Sequence, residues 1–311
     1  MLHVLVLGSA AGGGFPQWNG NDAAARRARA GDPRLPPRAQ SSLAVSADGK
    51  RWVLLNASPD LRQQIGERRQ LQPGPDDPKR ASPIAAVVLT NADVDHVAGL
   101  LTLRENHAFV IYAHRRVIEV LGENRIFDVL SRERVCRRNL PVGEKTELRD
   151  AAGQSLDIWL EPFAVPGKAP LWREDRSLPS WGTQEGDAVG LALGSGGGVI
   201  SLYYVPGCAA LGEDLARRLE GAPVVLFDGT LWRDDEMIVQ GVGAKTGRRM
   251  GHMSCAGEDG SMAAFEKLGV RRKVYVHINN TNPVLDPDSP ERAEAESRGW
   301  EIAWDGMEIL L

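Results

Sequence analysis

The chain has 311 residues and a formal net charge of −4, with charged residues at 25% and hydrophobic ones at 42%. Such a chain is long enough to bury a substantial core, as one large domain or two fused halves. Its charge excludes an electrostatic argument for nucleic acid or an anionic membrane as partner.

The opening Leu2-His3-Val4-Leu5-Val6-Leu7 is too short for a signal-peptide core or a membrane span, and no basic segment precedes it. It reads as a strand ending at Gly8. The glycines that follow, Gly12, Gly13 and Gly14, do not give G-x-G-x-x-G, so a dinucleotide site is set aside in favour of close backbone approach at a site mouth. Phe15 to Asn19, with Trp18, continue that loop, and residues 20–40 read as a surface excursion. A hairpin is expected around Asp48-Gly49, then a helix over Asp60 to Arg69 with Ser58 as cap and Pro59 at its first position.

Ile84 to Leu89 is an apolar, β-branched run that reads as a buried strand. Asn91, Asp93, Asp95 and His96 follow within six residues, ahead of a helix-compatible segment. Oxygen donors and an imidazole at a strand end suit a metal site. A strand-to-helix turn with an Asp cap and a satisfied histidine is the competing reading. Beyond a strand at Phe109–Tyr112 and a helix at Arg115–Leu121, the Arg-bearing segment 132–138 reads as solvated surface. The chain turns at Val165 to Pro170, and residues 171–187 form a long irregular connection of the kind found in lids. Strands at Ala188–Leu193 and Gly198–Tyr204 make a second hairpin.

The focal pattern then recurs. Pro223 to Phe227 is a buried strand ending in Asp228-Gly229-Thr230, a weak echo of residues 87–95 that implies two similar halves, about 1–170 and 185–311, of a single domain. Lys245-Thr246 lacks the glycines of a phosphate loop, so the Gly-rich segment 241–251 is better read as a loop delivering His252. Val274 to Ile278 is a third buried strand and carries His277; a short helix at Pro290–Ser297 and a strand at Trp300–Trp304 close the chain. Cys136, Cys208 and Cys255 are far apart, so no disulfide framework or CxxC site is expected, and a cytoplasmic location is.

Three strand ends thus bring metal-competent groups, Asp95 with His96, Asp228, and His277, and a loop adds His252. Imidazoles and carboxylates together bind first-row transition metals. In order and spacing, the pattern resembles the metallo-β-lactamase superfamily. The strings Gly8 to Asn19, Asn56 to Asp60, Asp228 to Trp232, Met250-Gly251-His252 and His277 to Pro283 resemble, over nearly the whole chain, the family of pyrroloquinoline quinone (PQQ) biosynthesis proteins called PqqB.

The resemblance implies an α/β fold, an αββα sandwich of two mixed sheets flanked by helices, with the site where both sheets end. It also implies a role in making PQQ from a Glu- and Tyr-containing peptide, viewed either as carriage of the quinone or a precursor to the periplasm or as iron-dependent hydroxylation of the tyrosine ring. Two departures from pattern stand out. Asn91 and Asp93 occupy places where the superfamily has histidines, and no middle histidine is evident near Val165-Pro166-Gly167. Gly20, Asp22 and Ala25 replace the cysteines of a structural zinc cluster, so that zinc is expected to be absent.

The reading that results is a single Fe(II) site, with zinc as another occupant, built from His96, His277 and a carboxylate, Asp95 or Asp228. With O₂ it would hydroxylate a Glu–Tyr precursor. His252 would move protons, Asn91 and Asp93 would line the site, and Lys245, Arg248, Arg249 and Trp18 would hold the substrate. A two-zinc hydrolase using Asp93, Asp228 and His252 is the enzymatic rival, and a PQQ carrier the non-enzymatic one. Neither nucleic acid nor stable membrane insertion is expected, and a homodimer stays open.

Overall fold

Alternate residues of the central strands enter different cores. In β1 (His3–Gly8), Val4 and Val6 join one buried cluster while Leu5 and Leu7 join another. Side chains of successive strand residues point to opposite faces, so a strand apolar on both faces must be covered on both. The computed structural model, which describes residues 1–175, 177–178 and 182–311, shows how this is achieved.

One sheet holds β1, β2 (Ser42–Ser46), β3 (Trp52–Leu55), β4 (Ile84–Leu89), β5 (Phe109–Ala113) and β6 (Val135–Asn139) in sequential order. The other holds β7 (Thr146–Arg149), β8 (Ser155–Ala164), β9 (Val189–Ser195), β10 (Leu202–Val205), β11 (Val224–Asp228), β12 (Arg272–Val276) and β13 (Trp300–Ile302). The last strand, β14 (Glu308–Leu310), returns to the first sheet and pairs antiparallel with β1. Both sheets are mixed in the same way: β3 to β6 run parallel, as do β10 to β13, and the remaining neighbours are antiparallel.

The inner faces meet in one core, where Val88, Ile158, Leu191, Leu226 and Val276 are buried together. Helices flank the sheets and their strand ends. These are α1 (Ala23–Arg29), α2 (Leu61–Glu67), α3 (Val94–Val97), α4 (Arg115–Glu123), α5 (Glu213–Leu219), α6 (Glu236–Val239), α7 (Gly247–Met250), α8 (Ser261–Phe265) and α9 (Pro290–Ser297). Leu61, Val117 and Leu121 pack on the first sheet, and Leu219, Phe265 and Ala295 on the second. The αββα sandwich expected from the resemblance is what the chain adopts. Among the described residues, no helix is long and apolar enough to cross a membrane.

Several local expectations need correction. The division between sheets falls between Asn139 and Thr146, ahead of the 170–185 boundary, because β7 and β8 already belong to the second sheet. Segment 20–40 is not only a surface excursion: Asp22 accepts the Ala25 N–H at 2.8 Å and starts α1. Arg27 pairs with Asp286, tying this segment to the body. The helix expected from Asp60 to Arg69 is shorter: Ser58 bonds the Gln64 side chain rather than capping, and the backbone turns extended at Arg68. The segment 132–138 is largely exposed, as expected, and its later part belongs to the edge strand β6, where only Val135 is buried. Of the lid-like 171–187 segment, Leu171–Arg173 form a 3₁₀ turn, while residues 176 and 179–181 lie outside the described residues.

Candidate metal centre

Ligands in open α/β sheets collect at the carboxyl ends of parallel strands, and here β4, β11 and β12 end side by side in space. The backbone stitches the two sheets together at this edge. Val189 N donates to Thr90 O at 2.9 Å, and Ala11 N to Ile278 O at 2.8 Å. The glycines after β1 serve close approach: a Cβ on Gly12 would lie 3.2 Å from Asp95 Oδ2.

After β4 the chain makes a turn that satisfies both readings of its sequence in part. Asp93 holds the N-cap position of α3, but its carboxylate makes no cap bond. Asn91 Oδ1 accepts the Asp93 N–H at 3.0 Å and lies 2.7 Å from Nδ1 of His96. With Nδ1 as donor, His96 presents an unprotonated Nε2, and that atom is buried with no hydrogen-bond partner. An orphaned imidazole nitrogen beside a carboxylate is what a metal would satisfy.

His277 follows β12 in the left-handed region, φ 56°, where a non-glycine residue is strained. Its Nε2 lies 3.1 Å from Asp95 Oδ2, and His96 Nε2 lies 3.9 Å from the same oxygen. Two donors each about 2.1 Å from one ion stand about 3 Å apart at a right angle and about 4.2 Å apart when opposed, and both separations fall within that range, so Asp95, His96 and His277 fit a single cation. Their ligating atoms all fall within 4.8 Å of one another. Burial alone would raise the Asp95 carboxyl, yet its imidazole neighbours His96 and His277 hold it well below the usual carboxylate range. Burial pushes His96 down to about 4, which keeps it in the neutral, ligating form. Burial would also lower His277, but its bond to Asp95 and the nearby carboxylates raise it.

Asp228, His252 and His277 make a second group of the same dimensions, sharing His277 with the first. Asp228 is fully buried and already occupied. Its Oδ2 accepts the Cys208 N–H at 2.9 Å and faces His252 Nδ1 at 2.8 Å; its Oδ1 accepts the Thr230 N–H at 3.0 Å and the Thr230 hydroxyl at 2.6 Å. Thr230 Oγ1 is also 2.8 Å from Nδ1 of His277. Of the two carboxylates expected as ligands, Asp95 is therefore the one facing the orphaned nitrogen, and Asp228 orients His252 and, through Thr230, His277.

The centre opens into a cleft of about 470 Å³, within the range of small-ligand pockets. Asn91, Asp93, His252 and Lys245 line it, as do Leu171, Trp172, Met237 and Met250. The other three residues expected to hold substrate do not. Trp18 is 86% exposed on the outer surface, Arg248 reaches Asp259 at 3.0 Å, and Arg249 donates to Glu174 at 2.6 Å. Lys168, just past the turn where no histidine was found, lines the cleft instead and donates to both Asp93 oxygens at 2.9 Å. Sequence reasoning passed over Lys168 and Thr230. Only the Asp-Gly-Thr string hinted at Thr230, and a lysine after Pro-Gly carries no signal of its own.

The comparisons agree with the fold. Residues 51–278 match the family model described as a beta-lactamase superfamily domain. The chain is 50% identical over 309 residues to the coenzyme PQQ synthesis protein B of Gluconacetobacter diazotrophicus, covering 99% of each chain. It is 51% identical to the protein of that name from Methylorubrum extorquens, covering 100% of each. Among solved structures, the Zn(2+)-bound PqqB from Methylobacterium extorquens superposes with a TM-score of 0.92 at 50% identity, covering 99% of this chain and 100% of that one. A diphosphatase of the PhnP family, at 20% identity and a TM-score of 0.68, covers 99% of this chain and 96% of its own and shares the fold. With relatives of this identity over its full length, the chain belongs to the PqqB family of the β-lactamase superfamily, whose work is PQQ biosynthesis.

Proposed function

We propose that the chain is a non-haem iron hydroxylase of the PQQ pathway, acting on the tyrosine ring of a peptide-derived Glu–Tyr precursor. The observation that carries this reading is the open cluster of two imidazoles and one carboxylate, His96, His277 and Asp95, with the His96 Nε2 unpartnered. Fe(II) held by such a set would supply oxygen activation.

The chain's own residues do the rest. Asn91 and Thr230 fix the two ligand imidazoles so that their Nε2 atoms converge. Asp228 holds His252 by Nδ1, leaving the other ring nitrogen to accept the phenolic proton of the substrate. Leu171, Trp172 and Met237 offer an apolar wall for the ring, and the Lys245 ammonium, on the same cleft, takes a substrate carboxylate. The work is assigned to the cytoplasm, with O₂ as co-substrate.

The test is direct. The iron-loaded chain, given ascorbate, O₂ and a Glu–Tyr precursor, is expected to yield a product heavier by oxygen, and His96→Ala and His277→Ala are expected to abolish it. An unchanged precursor mass with the iron-loaded wild-type chain, or full turnover in both variants, overturns the reading.

A further inference from the structure

We propose that Lys168 is a built-in cation standing beside the metal centre, and that its bond to Asp93 restricts the centre to one ion. The proposal rests on the reading of Asp95, His96 and His277 as ligands.

Asp93 sits two residues before Asp95 and faces the same cleft. Its backbone position would let the carboxylate cap α3, yet the side chain turns away and gives both oxygens to Lys168 Nζ, 75 residues distant, at 2.9 Å each. Both side chains are about one-fifth exposed, at 22%, so the pair is shielded more than a surface ion pair.

Lys168 is delivered by a well-braced segment. Ala169 N donates to Thr183 Oγ1 at 3.0 Å, and the lysine stem packs so closely on Gly251 that a Cβ there would lie 3.2 Å from Lys168 Cγ. Behind the pair lies a second chamber of about 20 Å³, bounded by Asn91, Asp93, Lys168, Gly207 and His252. That volume admits one water or one ion. The Asp93 carboxylate and the His252 imidazole on its wall are donors of the kind that hold a divalent cation. Lys168 is the group that stands in the way.

Charge points in the same direction. Asp93, Asp95 and Asp228 bring three negative charges to this strand edge. One divalent ion and one ammonium balance them, whereas two divalent ions beside Lys168 would leave an excess of positive charge in a partly buried site. Lys168 thus determines how many ions the edge accepts. It acts through Asp93, without touching the ligands itself.

Zinc stoichiometry tests this without reference to turnover. The chain is stripped with chelator, equilibrated with Zn²⁺, gel-filtered and analysed for metal, in a Cys136→Ser background so that the exposed thiol takes up none. The expected result is one zinc in the wild-type chain and in Lys168→Arg, two in Lys168→Met, and one again in Lys168→Met/Asp93→Asn. A Lys168→Met chain with a native circular dichroism spectrum and one zinc overturns the proposal while leaving the metal reading intact, and two zincs in wild type also overturn it. No zinc in the wild-type chain would instead sink the ligand assignment on which it rests. Asp93→Asn alone supplies an independent measurement. The freed ammonium should weaken zinc binding at least tenfold, and adding Lys168→Met should restore it. A weakening that the second substitution does not relieve would show a merely structural role for the pair and count against the proposal.

Discussion

Asn91 Oδ1 lies 2.7 Å from Nδ1 of His96, five residues further along the same turn, and also accepts the Asp93 N–H. One amide oxygen thus sets both the turn and the ring. Groups in this position typically contribute 10–100-fold to metal affinity. Asn91→Ala is expected to weaken zinc binding by about that factor, read by competition with a chromophoric chelator. Asn91→Asp, which keeps the acceptor, should retain most of the affinity. Equal losses in the two variants would remove the amide oxygen from this role.

Gly12 presses its backbone against the Asp95 carboxylate, with an added Cβ 3.2 Å from Oδ2. Gly12→Val should displace that carboxylate while leaving the sheets intact, because the loop lies outside both. The expected signature is a loss of metal affinity of tenfold or more, with a melting temperature within a few degrees of wild type in the metal-free chain. A large fall in stability would mean that the loop supports the fold rather than the site.

The three cysteines differ sharply in environment. Burial pushes the Cys208 thiol up to about 12 and the Cys255 thiol higher still, whereas Cys136 is exposed on edge strand β6. Thiolate is the reactive form. Titration of the native chain with a disulfide reagent at pH 8 should therefore show one fast thiol, abolished by Cys136→Ser, and all three only after denaturation. Two fast thiols in the native chain would contradict the buried placements.

Asp48 anchors the hairpin between β2 and β3. Partial burial would raise its carboxyl, but the Arg51 and Lys50 N–H groups, each at 2.8 Å, together with the Arg51 guanidinium, bring it down to about 2 from an ordinary 3.8. A carboxylate depressed in the folded state stabilises above its unfolded pKa, and that contribution disappears as pH falls from about 4 through 2. Because the side chain is about one-third exposed, the effect is on the order of 1 kcal/mol. In urea melts, Asp48→Asn should lower stability by that amount at pH 7 and lose this part of the acid dependence. An acid dependence identical to wild type would show that Asp48 contributes nothing to it.

The strands of the site were legible because they are apolar on both faces and change abruptly to polar residues where they end, whereas the sandwich they build was implied only by the family resemblance. Ile84 to Leu89 and Val274 to Val276 are buried throughout or nearly so, and each hands over to a side chain of the site. Helix α1 could have been read as well, since Asp22 precedes Ala23-Ala24-Ala25, strong helix formers behind an N-cap residue. The surroundings of the ligands were not legible. Lys168 meets Asp93 and Thr230 meets His277 through long-range packing, and no periodicity reports which side chains two separate sheets will bring within 3 Å. Lys245, Arg248 and Arg249 were expected to hold substrate for their charge, and Arg248 and Arg249 direct theirs to Asp259 and Glu174.

His277 and Asp95, 3.1 Å apart in space, are 182 positions apart along the chain. They come from different sheets, and β14 must cross back beside β1 before the first sheet is complete. During synthesis the amino-terminal half can offer an ion Asp95 and His96 but never the third donor. Capture of the ion must therefore wait for nearly the whole polypeptide, and closing so long a loop is slow compared with local folding. A bound ion would thus report that the two sheets have come together, bridging donors that the ribosome releases far apart in time.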